Sequence, residues 1–322
     1  MEKRVLVTGA SGFVGSYTVD ALRAHSKLSD IAVYSVGRAD GFDFSMDLRD
    51  PAAWVRVLKD VSPTAIIHLA AIAAPGDAKA NPGAAWETNF KATVDLASSI
   101  MRYAPDCRLV YAGSSEVYGA TFNESKSVKE SASLRPTSLY GATKAAADVA
   151  LGQMHYDGLR SVRFRPFNHS GPRQSPNFVL PAFASQIAKI KVSGQFPEVQ
   201  VGALEVVRDF LHVRDVASAY VNAALDEERN LDGRVFNLSS GSPVPVQYIL
   251  DKLISLSGLE IAVSQDTARI RQSEIPYAAA DSSAARSLLR WEPKYTLDDL
   301  IEDVFNYWVS LEQKLVTGRN HQ

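Results

Sequence analysis

The stretch Arg4-Val5-Leu6-Val7-Thr8-Gly9-Ala10-Ser11-Gly12-Phe13-Val14-Gly15 decides the fold. Its first half is a short β-branched run that ends at a glycine. Its second half opens a segment of helical character over 12–25. The glycines follow a G-x-x-G-x-x-G spacing. Lacking Cβ atoms, they let the backbone approach a pyrophosphate closely. The helix N-terminus turns its N–H groups and positive dipole end toward the same anion. A glycine loop between a first strand and a first helix predicts a dinucleotide site. A tight turn that holds no ligand is the competing reading.

Outward from this stretch, strands and helices alternate. Apolar runs at 31–36, 65–69, 109–112 and 161–164 are separated by helical stretches at 51–59, 82–103 and 137–156. Such alternation predicts a parallel sheet covered on both faces, an α/β doubly wound fold. After Arg165-Pro166-Phe167 the pattern loosens. One helix is expected at 182–190, another at 213–224, a last strand at 235–238 and an amphipathic helix at 297–315. The expected domains are 1–167 with 206–240, which bind the dinucleotide, and 168–205 with 241–322. The second is a smaller, mixed α/β substrate domain.

Composition excludes several classes. The 322 residues carry a net charge of −2 and no run of like charge, so neither nucleic acid nor an anionic membrane surface is an expected partner. Cys107 is the only cysteine, which rules out an internal disulfide and a cysteine-based metal site. No metal is expected. No stretch approaches the roughly 18 apolar residues of a membrane span. The expected location is cytoplasmic.

The chemistry is expected in Gly113-Ser114-Ser115-Glu116-Val117-Tyr118-Gly119 and Tyr140-Gly141-Ala142-Thr143-Lys144. Tyr140 and Lys144 are four apart and share one face of a helix. A phenol titrates near pH 10 when unperturbed, and a neighbouring ammonium is expected to lower that value. Ser114, at a strand end, is placed to hold the oxygen that gains or loses a proton. This is equipment for interconverting an alcohol and a carbonyl. For a lone Tyr-x-x-x-Lys the plainer reading is two surface residues. At the end of the second strand stands Arg38, where an NAD site carries an acid. A guanidinium there suits a 2′-phosphate, so NADP(H) is the expected cofactor. A solvated loop arginine is the alternative.

Taken together, the glycine loop, Asp47-Leu48, His68-Leu69-Ala70-Ala71, Asn89, Ser114 and Tyr140-x-x-x-Lys144 resemble the extended short-chain dehydrogenase/reductase family. The resemblance implies a Rossmann-type sheet, a nicotinamide dinucleotide and a nucleotide-sugar substrate. It implies that Gly9, Ser11, Gly12, Phe13, Val14 and Gly15 hold the pyrophosphate. Asp47 and Leu48 would meet the adenine, and Leu69, Ala70 and Ala71 would line the cofactor. Ser114, Tyr140 and Lys144 match the catalytic triad. The run Arg165-Pro166-Phe167-Asn168-His169-Ser170-Gly171-Pro172-Arg173-Gln174 and the segments that follow it resemble the GDP-mannose branch, nearest to reductases of GDP-4-keto-6-deoxy-D-mannose. That likeness implies a GDP-sugar substrate contacted by Ser115, Asn168, Val179, Arg208, Arg271 and Glu274. It also implies a homodimer, or a dimer of dimers, built on 82–103 and 137–156. Glu116 occupies the place where sugar-nucleotide 4,6-dehydratases carry an acidic catalytic residue, so a dehydratase or a bifunctional enzyme is the runner-up. An epimerase and a non-catalytic dinucleotide sensor complete the alternatives.

Overall fold

The computed structural model describes residues 2–26, 30–38, 41–125, 127–269 and 275–319. Six strands open the chain: β1 (Lys3–Thr8), β2 (Ile31–Gly37), β3 (Phe44–Ser45), β4 (Ala65–His68), β5 (Arg108–Ala112) and β6 (Ser161–Pro166). With the strand Val235–Leu238 they form a seven-stranded sheet, in the order Val235–Leu238, β6, β5, β4, β1, β2, β3. Every pairing in it is parallel. The first strand lies near the middle. The chain runs outward through β2 and β3, then returns to place β4 on the other side of β1. This reversal opens a crevice beyond the carboxyl ends of β1 and β4, the place where doubly wound sheets bind ligands.

Local sequence explains the flanking helices. Helix α1 (Phe13–Ser26) starts directly from the glycine loop. Helix α2 (Pro51–Val61) is capped by Asp50, whose carboxylate accepts from Ala52 N at 2.9 Å, and Pro51 sits at its first turn. Leu139–Met154 is capped by Ser138, whose Oγ accepts from Gly141 N at 2.9 Å. Both faces of the sheet are covered, so the middle of each central strand is apolar. Val5, Leu6 and Val7 have no exposed surface, nor have Ala65, Ile66 and Ile67. One core cluster joins Leu6, Trp54, Leu58, Ile66, Leu96, Ile100, Leu109, Tyr111 and Leu151. Each such side chain contributes roughly 1.5–3 kcal/mol by leaving water.

The expected single helix over 82–103 is interrupted. It consists of Pro82–Ala85, a π-helical turn at Trp86–Lys91, and Ala92–Tyr103. A π-turn inserts a residue without changing the apolar pattern much, so periodicity does not reveal it. Its buried Asn89 accepts from Ile72 N at 2.8 Å and donates to Thr143 Oγ1 at 3.1 Å. The helix expected at 182–190 extends over Val179–Ser193 and stops at Gly194, which takes a φ of 62°.

The chain divides into two compact units, Met1–Phe167 with Arg214–Leu238 and Ala280–Glu292, and Asn168–Val213 with Ser239–Ala279 and Pro293–Gln322. These boundaries differ from the expected ones at three places, the smallest being 239–240, which join the second unit, where Asp209 accepts from Ser240 N. Residues 206–213 fall in the second unit because Phe210–His212 pairs with Asn168–Ser170. Ala280–Glu292 falls in the first. There Ala280 bridges Val128, and the Trp291 indole N–H donates to Asp215 O at 2.9 Å. The second unit packs helices Val179–Ser193, Val246–Ser257 and Leu297–Arg319 around Leu180, Phe183, Ile187, Leu250, Leu300 and Val304. Small sheets of two and three strands complete it.

Candidate active site

The glycine loop is built as a cradle. Gly9 has a φ of 68°, and Gly12 N donates to Gly9 O at 2.9 Å. A Cβ on Gly9 would stand 2.9 Å from Ala70 N, so β1 and β4 approach too closely there for any side chain. A Cβ on Gly15 would lie 2.0 Å from Gly9 O. Ser11 and Gly12 are exposed at the tip, and the first turn of α1 carries no acidic residue. These features fit a pyrophosphate. Gly15→Ala forces backbone apart, and overpacking of this kind costs about 1–3 kcal/mol. Calorimetry on the variant is expected to show a melting temperature lower by a few degrees.

Thr8 ties the cradle to β4. Its Oγ1 accepts from Leu69 N and Ala70 N, both at 3.2 Å, and bonds His68 Nδ1 at 2.9 Å. Thr93 Oγ1 meets the other ring nitrogen at 3.1 Å. Burial, with the nearby Lys144, lowers the His68 pKa to about 3, so the ring stays neutral. The sequence marks His68 only as part of a motif.

Beyond β5, Ser114 caps a short 3₁₀ turn at Ser115–Val117, its Oγ accepting from Glu116 N at 3.1 Å. The Ser114 side chain lies close enough to the Tyr140 hydroxyl to act on its ionisation. Ser138 donates to Glu116 Oε2 at 2.6 Å, which fixes the carboxylate at the N-terminus of the Tyr140 helix. Lys144 is 3% exposed and donates through Nζ to Ala112 O at 2.7 Å. Thus Ser114, Ser115, Glu116, Tyr140 and Lys144 belong to one locality of the first unit.

The electrostatics depart from expectation. Tyr140 is not lowered by Lys144. Burial pushes its pKa up, the Glu116 charge pushes it further, and the nearby Ser114 side chain opposes them. Burial also lowers Lys144, to about 7. An ammonium that is itself desolvated carries its charge reluctantly, so it does little to favour a phenolate.

Arg38 is 63% exposed on its side chain and stands 3.7 Å from Asp47 Oδ1. Asp47 is also gripped by Arg49, whose Nη2 donates to Oδ2 at 2.6 Å and Nε to Oδ1 at 3.0 Å. The Arg49 bonds, with Arg38 adding to them, hold the Asp47 carboxyl well below its usual range. Sequence reading misses Arg49, although an arginine two residues after an acid is a simple signal for such a pair. Leu48 is buried beside Trp54, whose indole N–H donates to its carbonyl at 2.9 Å.

The second unit carries a separate cleft of about 560 Å³. Asn168, Val179 and Arg208 line it, together with Gln174, Phe178 and Arg269. Arg269 was not anticipated. Gly202 lets its segment pass, since a Cβ there would stand 2.9 Å from Arg269 O. Arg271 and Glu274 lie outside the described residues. Among the described residues no group of three or more His, Cys, Asp or Glu is arranged to hold a metal ion. None of the described helices is long and apolar enough to cross a membrane.

Comparison with known proteins agrees with this geometry. A GDP-6-deoxy-D-mannose reductase from Pseudomonas aeruginosa is 29% identical over 312 residues, covering 96% of this chain and 98% of its own. UDP-glucose 4-epimerase of Rhizobium meliloti is 28% identical over 94% of this chain and 96% of its own. Among solved structures, RMD from Pseudomonas aeruginosa complexed with NADPH superposes with a TM-score of 0.82 at 27% identity. That match covers 96% of this chain and 99% of the other. The family model described as the NAD dependent epimerase/dehydratase family matches residues 5–239. With its parallel Rossmann-type sheet, glycine cradle and Ser114, Tyr140 and Lys144 in place, the chain belongs to that family, the extended short-chain dehydrogenases/reductases.

Proposed function

We propose that the chain is an NADP(H)-dependent oxidoreductase that reduces the C4 ketone of GDP-4-keto-6-deoxy-D-mannose. The product would be GDP-D-rhamnose or its C4 epimer. One arrangement supports the ketone–alcohol chemistry: Ser114 just beyond the end of β5 and Tyr140 and Lys144 on one helix face share one locality of the first unit, with the Tyr140 phenol kept protonated by its surroundings. A protonated phenol is the competent form for giving a proton to a forming alkoxide. Similarity to the Pseudomonas aeruginosa reductase supports the substrate class.

Gly9, Ser11, Gly12, Phe13, Val14 and Gly15 would hold the pyrophosphate, Asp47 and Leu48 the adenine, and Leu69, Ala70 and Ala71 the flank of the cofactor. Lys144 would orient the ribose. A reduced nicotinamide bound there would supply the hydride to C4. Tyr140 would donate its hydroxyl proton to the carbonyl oxygen on C4, and Ser114 would hydrogen-bond that oxygen as its charge develops. Asn168, Val179 and Arg208 would line the place of the nucleotide, with Arg208 and Arg269 as cationic donors to the diphosphate. Arg271, Glu274 and Ser115 stay in the proposal on resemblance alone. A homodimer or dimer of dimers through the helices of 82–103 and 137–156 belongs to the same reading. On the second of these, Val149 is 59% exposed.

Arg38→Ala is expected to reduce the preference for NADPH over NADH about tenfold, the loss of one charge-assisted contact. Binding of 2′,5′-ADP against 5′-AMP, followed by calorimetry, reads the same change without turnover. Equal affinities in wild type and variant would assign Arg38 to the surface.

Mixing the protein with the keto sugar and NADPH, and following cofactor fluorescence, tests the whole reading. Consumption that depends on the GDP-keto sugar is expected. No consumption with it, but turnover of a UDP-sugar, would contradict the assignment. A dehydratase remains the second reading because Ser138 fixes the Glu116 carboxylate in this locality, where its charge acts on Tyr140. Formation of a 4-keto-6-deoxy sugar from GDP-mannose and NADP⁺ would decide for it.

A further inference from the structure

We propose that Tyr111 is a positioning residue that seats the Lys144 ammonium, its ring face on one side and the Ala112 carbonyl on another. Lys144 Nζ lies 4.9 Å from the Tyr111 ring centroid and donates to Ala112 O at 2.7 Å. Tyr111 and Ala112 are consecutive on β5, so a single strand end supplies both contacts. The charge has few other partners. Among the described residues no carboxylate stands within ion-pair distance of Lys144. Asp148, one turn further along the helix, is taken by Arg163 at 3.0 Å and Arg165 at 2.9 Å.

The ring has only this use for its polarity. Tyr111 has no exposed surface, and its hydroxyl has no hydrogen-bond partner among the described residues. A buried hydroxyl without a partner costs stability, so it is the π-face that the site exploits. Beside Tyr111, His68 stacks at 6.4 Å with an interplanar angle of 24°. Its two threonine bonds keep it in place, and it is neutral. The titratable groups that face the ammonium are His68 from β4 and Tyr111 from β5, while Tyr140 and Asp148 lie on its own helix and Glu116 acts on Tyr140. Among the described residues Tyr111 offers the one aromatic face over Nζ. A cation over an aromatic face gains roughly 1–2 kcal/mol, and about one pH unit of lysine titration corresponds to about 1.4 kcal/mol.

The inference rests on the proposed function only for its kinetic consequence. The test replaces Tyr111 with phenylalanine, then with phenylalanines carrying one, two and five ring fluorines. These rings are nearly isosteric but have progressively weaker negative faces. Lys144 is titrated by NMR in protein with isotope-labelled lysine Cε, and turnover is measured against pH. Tyr111→Phe is expected to keep the wild-type midpoint. The midpoint then falls with each fluorine, by about one pH unit at five. If the ammonium is the working form, the alkaline limb of turnover falls with it. A midpoint that stays constant across the series would overturn the proposal. So would a shift already complete at Tyr111→Phe, since that would assign the effect to the hydroxyl. If the NMR midpoint falls while the turnover limb stays fixed, the seat stands and the catalytic reading of Lys144 fails.

Discussion

Tyr140→Phe is expected to cut turnover by about 10²–10⁴-fold, the usual range for removing a positioned proton donor. The substitution deletes one oxygen and keeps the ring. Dinucleotide affinity, which depends on the glycine cradle, should change by less than about threefold. Steady-state rates and direct cofactor titration separate the two effects. The pH profile carries more information. Burial and Glu116 raise the Tyr140 pKa, and burial lowers Lys144 to about 7. Between pH 6 and 8 the phenol should therefore not titrate, and Lys144 is the member of the Ser114, Tyr140 and Lys144 set expected to ionise there. Unchanged turnover in Tyr140→Phe would reopen the non-catalytic reading.

Asp148→Ala is expected to destabilise the first unit by about 3–5 kcal/mol, since it leaves buried guanidinium charge uncompensated. Asp148 is 1% exposed. Its Oδ2 accepts from Arg165 Nε at 2.9 Å, and its Oδ1 from Arg165 Nη2 and Arg163 Nη1, both at 3.0 Å. Arg165 also donates to the Tyr118 hydroxyl at 2.9 Å, and that hydroxyl donates to Asn237 Oδ1 at 2.7 Å. The network thus links the Tyr140 helix, β6 and the turn that follows Glu116. Chemical denaturation should show the loss, and turnover should fall with it, because the helix that bears Tyr140 and Lys144 loses an anchor. Asp148→Ala with Arg165→Met is expected to recover part of the stability, as paired removal of buried charges does elsewhere. A loss under about 1 kcal/mol in the single variant would show that water screens the network.

Much of the first unit was legible because its signals are local. Val5, Leu6 and Val7 read as a buried strand, and Gly9, Gly12 and Gly15 as a backbone held close to an anion. Other features depend on contacts far apart in sequence. Val128 and Ala280 meet in a bridge, and Trp291 bonds Asp215, so no window of sequence assigns 280–292 to the first unit. The π-turn at Trp86–Lys91 is set by what Asn89 reaches, namely Ile72 and Thr143. The Tyr140 pKa departs from expectation for a related reason. Spacing places an ammonium on the same helix face, but burial of both groups outweighs their mutual effect. Ser138 escapes a sequence reading although it occupies an ordinary N-cap. Its second bond, to Glu116, arises only when residues 22 apart meet.

The most direct test of the proposed chemistry is NMR identification of the product formed from GDP-4-keto-6-deoxy-D-mannose and NADPH. Reduction at C4 predicts a new C4–H in a GDP-6-deoxyhexose, with deuterium at C4 when the cofactor carries it on the transferred position. Recovery of the keto sugar unchanged, or a product without deuterium at C4, would contradict it.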